Sequence, residues 1–267
     1  MAEREYNLAV FIDFENLALG FDGTRSTALG KGRDGKRGAL PFDIAKVLER
    51  LVEKGKVIVK KAYADWEAYA AYKRPFHEAA IELIEIPRRS MTGKNSADIR
   101  LVVDAMDLCY SKDHVDMFVI VSGDSDFSPL VSKLKENGKN VIGLGMKDSS
   151  SELLISNCDE FIFYEELQPP SQRHIGTITK KIPKAKRQVF QLLVESVAAL
   201  HRENKEVLWS SMVKQTMQRK RPSFSESHYG YESFSDLLKD AEVHGVVGLR
   251  RDSRSGTLIV EGFGKEN

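Results

Sequence analysis

The run Phe118-Val119-Ile120-Val121 passes without a break into Ser122-Gly123-Asp124-Ser125-Asp126-Phe127, two carboxylates separated by one small residue. A short apolar run bounded by turn residues is the signature of a buried strand, so this one delivers paired acids at its carboxyl end. A second segment has the same form: Leu8-Ala9-Val10-Phe11-Ile12 runs directly into Asp13-Phe14-Glu15-Asn16. In an open parallel α/β sheet, ligands gather beyond the carboxyl ends of the strands. Acids on two such ends can therefore share one site although more than a hundred residues separate them.

The rest of the first 165 residues fits such a sheet. Strand-like runs fall at 8–12, 57–63, 81–86, 117–121, 141–145 and 160–164, with helical stretches near 42–54, 66–80, 96–110, 128–137 and 149–156. That alternation predicts an α/β domain, a three-layer α/β/α sandwich around a parallel sheet. One connection is long for a compact domain: residues 20–41 are rich in glycine and carry Arg25, Lys31, Arg33, Lys36 and Arg37. It reads equally as a disordered surface insertion and as a flap that guides a polyanion toward the acids.

At Gln168-Pro169-Pro170-Ser171 the pattern stops, and residues 168–183 read as a linker between a first domain at 1–167 and a second at 184–263. In the second, helical periods cover 185–203 and 209–219, and Ser233-Phe234-Ser235-Asp236-Leu237-Leu238 begins a third helix. Val246 to Arg250 and Thr257 to Val260 read as a hairpin. Helices followed by such a wing give the outline of a winged helix-turn-helix module.

Charge separates the two parts. Residues 1–168 hold 23 Lys and Arg against 28 Asp and Glu, whereas residues 169–267 hold 17 against 11. An acidic front half agrees with a carboxylate metal site, and a basic tail with a surface that meets phosphates. No apolar stretch approaches the roughly 20 residues that cross a bilayer. The charged start Met1-Ala2-Glu3-Arg4-Glu5-Tyr6 has no apolar core of a secretory signal, so a cytoplasmic protein is expected. Cys109 and Cys158, the two cysteines, sit in apolar or helical patterns and read as packed thiols.

Four acids are best placed for chemistry: Asp13, Asp124, Asp126 and Asp98, the last reached through the turn Gly93-Lys94-Asn95-Ser96-Ala97. Asp104 is the alternative to Asp98; six residues further on, it lies roughly 600° around the helix axis and so on a different side. Clustered carboxylates without a cation raise one another's pKa, so a divalent metal is expected among them, and hard oxygen ligands favour Mg²⁺ or Mn²⁺. Such ions polarise phosphoryl oxygens and help deprotonate water, which suggests phosphodiester hydrolysis. Asn16 reads both as a helix cap and as a contact to metal-bound water or phosphate. Ser122 and Ser125 carry the same two readings.

At these residues the chain resembles the NYN domains, a branch of the PIN-like metal-dependent ribonucleases. The pieces that carry the resemblance are Val10 to Asn16, Lys94 to Asp104, and Val121 to Phe127 with Leu130 and Gly138 following. It runs from about Leu8 to Tyr164. What it implies is a PIN-like α/β/α fold, an acidic site of Asp13, Asp98, Asp124 and Asp126 for Mg²⁺ or Mn²⁺, and RNA as substrate. In the second piece many relatives place a hydrophobic residue and aspartate directly after the glycine, where this chain has Asn95-Ser96-Ala97-Asp98.

Ser227-His228-Tyr229-Gly230-Tyr231-Glu232-Ser233-Phe234 in the tail is similar to the OST-HTH, or LOTUS, domain, over about Lys184 to Val260. That resemblance implies a winged-helix module with RNA or protein partners. Lys214, Arg219, Lys220 and Arg221 then read as phosphate contacts or as a solvated helix face. Tyr229, Tyr231 and Phe234 read as packing residues in preference to a stacking platform for bases. A protein that retains the acidic pocket without turnover and only binds RNA is the rival reading. The oligomeric state is left open.

Overall fold

The computed structural model describes residues 5–20, 42–86, 96–167 and 182–264. The long basic connection at 21–41, the turn at 93–95 and most of the expected linker lie outside the described residues. The chain forms two compact units, Met1–Leu48 with Gly55–Leu167, and Glu49–Lys54 with Gln168–Asn267.

The first unit is built on a six-stranded parallel sheet, with strands β1 (Asn7–Asp13), β2 (Lys56–Ala64), β3 (Glu82–Glu85), β4 (Met117–Val121), β5 (Asn140–Gly145) and β6 (Glu160–Phe163). Their order across the sheet is β3-β2-β1-β4-β5-β6. Helices α1 (Phe14–Gly20), α2 (Ile44–Lys54, of which Glu49–Lys54 fall in the second unit), α3 (Ala70–Glu78), α4 (Ser96–Ser111), α5 (Ser128–Glu136) and α6 (Glu152–Asn157) supply the crossovers that parallel strands require. The chain steps outward from β1 to β3, returns through α4, and steps outward the other way from β4 to β6. The neighbours β1 and β4 therefore flank the point at which the direction of winding reverses.

Side chains alternate across these central strands, and both faces are buried, as a parallel sheet requires. Ala9 and Phe11 of β1 and Phe118 and Ile120 of β4 pack with Ala97, Leu101, Ala105 and Cys109 of α4 and with Leu130, Val131 and Leu134 of α5. Leu8, Val10 and Ile12 alternate to the other face and are equally buried. Phe14, the residue after Asp13, is fully buried and sits among the rings of Phe42, Trp66, Tyr69, Tyr72 and Phe76. That aromatic cluster fixes where β1 ends. Helix α1, which follows at once, was not foreseen in the sequence.

The second unit holds α7 (Lys184–Arg202), β7 (Leu208–Trp209), α8 (Ser210–Lys220), a 3₁₀ turn (Glu226–Tyr229), α9 (Phe234–Val243), β8 (Val247–Arg251) and β9 (Leu258–Phe263). The strands form an antiparallel sheet in the order β7-β9-β8, so the expected hairpin gains a short third strand. Val189, Leu193, Val197, Val213, Met217, Leu237, Leu238 and Val260 form its core. Phe234 belongs to that core, and Tyr229 and Tyr231 pack against it, as the sequence suggested. Gly230, at φ +82°, ends the 3₁₀ turn in the left-handed region, and Ser233 caps α9 by accepting from the backbone N–H of Asp236. Among the described residues no helix is long and apolar enough to cross a membrane.

Candidate active site

The carboxyl ends of β1 and β4 lie side by side, Ile12 pairing with Val121. Alternation carries Asp13 and Ser122 to the α4 face, two residues beyond the buried Phe11 and Ile120 of the same face. There Ser122 Oγ donates to Asp13 Oδ2 at 2.9 Å and accepts from the backbone N–H of Asp124 at 3.2 Å. A second clasp joins the same ends: the Gly123 N–H donates to Asn16 Oδ1 at 2.8 Å, and the Asn16 N–H donates to Asp13 Oδ1 at 3.3 Å. Gly123 is needed because a Cβ there would stand 2.8 Å from the backbone oxygen of Ser149.

Beyond Ser122 the chain makes a single 3₁₀ turn, Ser125–Phe127, capped by Asp124, whose Oδ1 accepts from the Asp126 N–H at 3.0 Å. The buried Phe127 roots the turn, while Asp124 and Ser125 are half-exposed and Asp126 is exposed. Asp98 comes from the first turn of α4. Glu15, whose side chain takes the Asp65 N–H at the end of β2, completes the acidic group. It was visible in the sequence as part of the first acidic strand end but was not singled out.

These carboxylates act on one another. Burial, followed by the charge of Asp98, raises the Asp13 carboxyl to about 7, with the hydrogen bond from Ser122 opposing the rise. Burial, followed by Asp124, Asp126 and Glu15, raises Asp98 to about 6. Every charge named as acting on Asp98 is another carboxylate. The structure thus brings Asp13, Asp98, Asp124 and Asp126 within electrostatic reach of one another, from segments as far apart as residues 13 and 126.

Asp104 stands elsewhere. Its carboxylate accepts from Tyr63 Oη at 2.8 Å, from Arg100 Nε at 3.0 Å and from Lys61 Nζ at 3.3 Å, which ties α4 to β2. The hydrogen bond from Tyr63 and the neighbouring cations hold its pKa below the usual range despite burial. Of the two alternatives for the site, Asp98 is the one among the acids.

One expectation about substrate contacts is corrected. Ser122 is fully buried and its hydroxyl is spent on Asp13 and Asp124, so it braces the site. The Asn16 side-chain oxygen accepts from the Gly123 N–H, which clasps the strand ends together. Ser125, by contrast, lines a cleft of about 710 Å³ with Asp98, Asp126, Ser128 and several aliphatic residues.

In the second unit the four singled-out basic residues have intramolecular partners. Lys214 pairs with Glu226 at 2.7 Å, Arg219 donates to Thr216 Oγ1 at 3.0 Å, and Arg221 reaches Tyr229 Oη at 3.4 Å. Within the same unit Lys220 Nζ lies 2.8 Å from Glu53 Oε1, and its side chain is 5% exposed, which corrects its reading as a phosphate contact. The sequence signal missed an exposed basic group on the wing, at Arg250, Arg251 and Arg254. Arg250 there pairs with Glu261.

The donor set, all carboxylate oxygens, with Asp98 raised by burial and by the charges of Asp124, Asp126 and Glu15, fits a hard divalent cation. Among the described residues no three His, Cys, Asp or Glu stand close enough to grip an ion together. The chemistry therefore suits an ion that keeps much of its water and touches one or two carboxylates, the usual habit of Mg²⁺.

The NYN domain model matches residues 7–165, and the OST-HTH/LOTUS domain model matches residues 180–254. An uncharacterized protein of Methanocaldococcus jannaschii is 31% identical over 121 residues, 45% of this chain and 47% of that protein. The chain thus matches about half the length of that curated relative. The crystal structure of a protein of unknown function from Vibrio parahaemolyticus is similar at a TM-score of 0.48 and 21% identity, over 62% of this chain and 98% of that one.

Proposed function

The chain belongs to the NYN domain family and carries an OST-HTH/LOTUS domain after it, and from this premise we propose that it is a PIN-like ribonuclease. It would hydrolyse RNA phosphodiester bonds at Asp13, Asp98, Asp124 and Asp126 with Mg²⁺ or Mn²⁺ as cofactor. The observation that carries the reading is the meeting of these carboxylates at the reversal point between β1 and β4, where open α/β sheets bind their ligands.

One or two of Asp13, Asp98, Asp124 and Asp126 would touch the ion, and the others would hold it through its water. When bound, it would supply Lewis-acid stabilisation of the phosphoryl oxygens. The remaining work belongs to the chain. Ser122 and Asn16 keep Asp13 at a fixed distance from the β4 end, and the ring cluster at Phe14 prevents that end from drifting. Asp13 and Asp98, with carboxyls raised to about 7 and about 6 by burial and by their acidic neighbours, are placed to exchange their protons for a cation that neutralises the cluster. Asp126, exposed on its turn, faces incoming substrate. The second unit would bring RNA or a protein partner. The reading carries a cytoplasmic setting, where RNA is at hand and the free thiols Cys109 and Cys158 stay reduced.

A second reading, an RNA-binding protein without turnover, draws on the absence of a closed three-ligand group among the described residues. Incubating the purified chain with labelled single-stranded RNA, with chelator and with Mg²⁺ or Mn²⁺, separates the two. Metal-dependent cleavage that Asp124→Asn abolishes supports the ribonuclease. No cleavage with any divalent ion, or equal cleavage by that variant, supports the binder.

A further inference from the structure

Helix α4 is apolar on two opposite faces. Ala97, Leu101, Ala105 and Cys109 recur every four residues and are buried in the core. At about 100° per residue, Ile99, Val103, Met106 and Tyr110 fall within about 60° of one another on the far side. Ile99, Val103 and Tyr110 are 63%, 55% and 63% exposed, and Met106 is half-buried. A surface helix normally keeps one apolar stripe, turned to the core, and shows charge on the other side. Leu153 of α6, 56% exposed, lies beside this second stripe, in the cleft that Ile99, Val102 and Val103 line. Four of the seven large hydrophobic side chains exposed among the described residues thus gather along α4. Scattered singly they would need no explanation; gathered, they mark a contact surface.

The order of the stripe says what fits it. Its spacings are four, three and four residues, the same read from either end. A second α4, laid antiparallel about a two-fold axis midway between Asp104 and Ala105, therefore sets Ile99 opposite Tyr110 and Val103 opposite Met106, each pair twice over. A different protein would not require the spacing to read alike from both ends. The flank has the matching property. Arg100 and Asp107 are seven residues apart, hence on one side of the stripe, and both are exposed. The reversal brings Arg100 of one copy within about 3 Å, along the axis, of the level of Asp107 of the other. Arg100 Nε donates to Asp104 at 3.0 Å, and the guanidinium has further donors for a second carboxylate. Parallel pairing instead would set Asp98 and Asp107 beside their own copies, and like charges would oppose it.

We propose that the outer face of α4 is a self-association surface, on which a second copy of this chain packs its own α4 antiparallel. The Tyr110 ring of each copy is seated against Ile99 and Leu153 of the other. Tyrosine is a frequent anchor of interfaces, and the cleft of about 710 Å³ beside Ile99, Val103 and Leu153 is a hollow for such a ring. The two Asp98 residues then stand about 20 Å apart along the axis, beyond the range at which charges in salt repel. The pairing holds whether or not the acids cleave RNA.

Sedimentation of the full chain in chelator, over a range of concentrations, should show a monomer–dimer equilibrium with a dissociation constant of about 10 µM. Val103→Asp should weaken it about a hundredfold, because its carboxylate would be buried without a counter-charge. Tyr110→Ser should weaken it about tenfold. Both positions are exposed in the single chain, so the melting temperature should not change. Should Val103→Asp lower it, Val103→Ser is measured in its place, with a loss of about tenfold expected. Cross-linking tests the register. Chains carrying Ile99→Cys mixed with chains carrying Tyr110→Cys should form a disulfide-linked dimer in oxidised glutathione. Either variant alone should not, since each new thiol would lie about 16 Å along the axis from its own copy. The unsubstituted chain, with Cys109 buried and Cys158 half-buried, gives the background.

A monomer at every concentration, or a dimer that the Val103 variant leaves intact, would overturn the proposal. So would cross-linking of the Ile99→Cys chain with itself to the same extent as in the mixture. Because association is the readout, failure of the nuclease reading shows separately, as absence of cleavage by the unsubstituted chain.

Discussion

Ser122 Oγ and Asp13 Oδ2 stand 2.9 Å apart, a hydrogen bond that joins the ends of two neighbouring strands across 109 residues of sequence. The same hydroxyl accepts the Asp124 N–H, so one buried atom sets the spacing between the acid of β1 and the acids after β4. Ser122→Ala removes both bonds and leaves a buried carboxylate and a backbone N–H short of a partner. The expected cost is about 1–3 kcal/mol in urea denaturation. Since this bond lowers the Asp13 pKa, the variant's acid limb in a pH–rate profile should move upward. A profile that stays in place would mean that Asp13 does not take part in the rate.

The Asp13 carboxyl, at about 7 against an ordinary 3.8, binds its proton more tightly in the folded chain than in the unfolded one. Its contribution therefore favours the fold below about pH 4 and is lost as pH rises toward about 7. The full rise corresponds to about 4 kcal/mol. Asp13→Asn removes that cost but weakens two hydrogen bonds accepted by the carboxylate, at about 1 kcal/mol each. In chelator at about pH 8 the variant should be roughly 2 kcal/mol more stable than the parent, and the difference should change sign toward about pH 4, where only the weakened hydrogen bonds remain. Chemical denaturation across that range measures it.

A divalent ion must displace the protons that Asp13 and Asp98 hold. Its apparent affinity should therefore climb as pH passes from about 5 to about 8 and level off once both groups are ionised. Calorimetric titration with Mn²⁺ should show proton release that is largest below the two carboxyl values, about 6 and about 7, and falls away as pH rises through them. PH-independent binding without proton release would place the ion away from these residues.

Asp104→Asn provides the contrast to Asp124→Asn. Asp104 bonds Tyr63, Arg100 and Lys61, and Tyr63 is fully buried. Its substitution should cost about 1–2 kcal/mol of stability and leave cleavage within a few-fold of the parent. Asp124→Asn should keep the melting temperature and lose cleavage. The reverse pattern would exchange the roles of the two aspartates.

The sheet was legible because strands buried on both faces read as unbroken apolar runs, and Asp13 and Asp124 stood out as the abrupt ends of two of them. Helical rotation put Asp98 and Asp104 on different sides of one helix but left open which of them completes the site. Ser122 and Asn16 were ambiguous because a polar residue after a strand reads the same whether it faces solvent or bonds a neighbouring strand. Lys220 misled for a related reason: its partner, Glu53, is 167 residues away, and local pattern says nothing of it. The strand Leu208–Trp209 was missed because two residues are too few to show alternation.

The exposed arginines of the wing, Arg251 and Arg254, are better placed than Lys220 to meet phosphates. Each cation that neutralises a phosphate of single-stranded RNA adds about 0.7 to the slope of log affinity against log salt. Substituting both arginines by alanine should therefore lower that slope by about 1.4 and weaken binding evenly across sequences. Lys220→Ala, which removes a buried ion pair, should leave the slope alone and lower stability instead. Anisotropy titrations over a range of salt concentrations check both. An unchanged slope in the double variant would assign the wing to a protein partner.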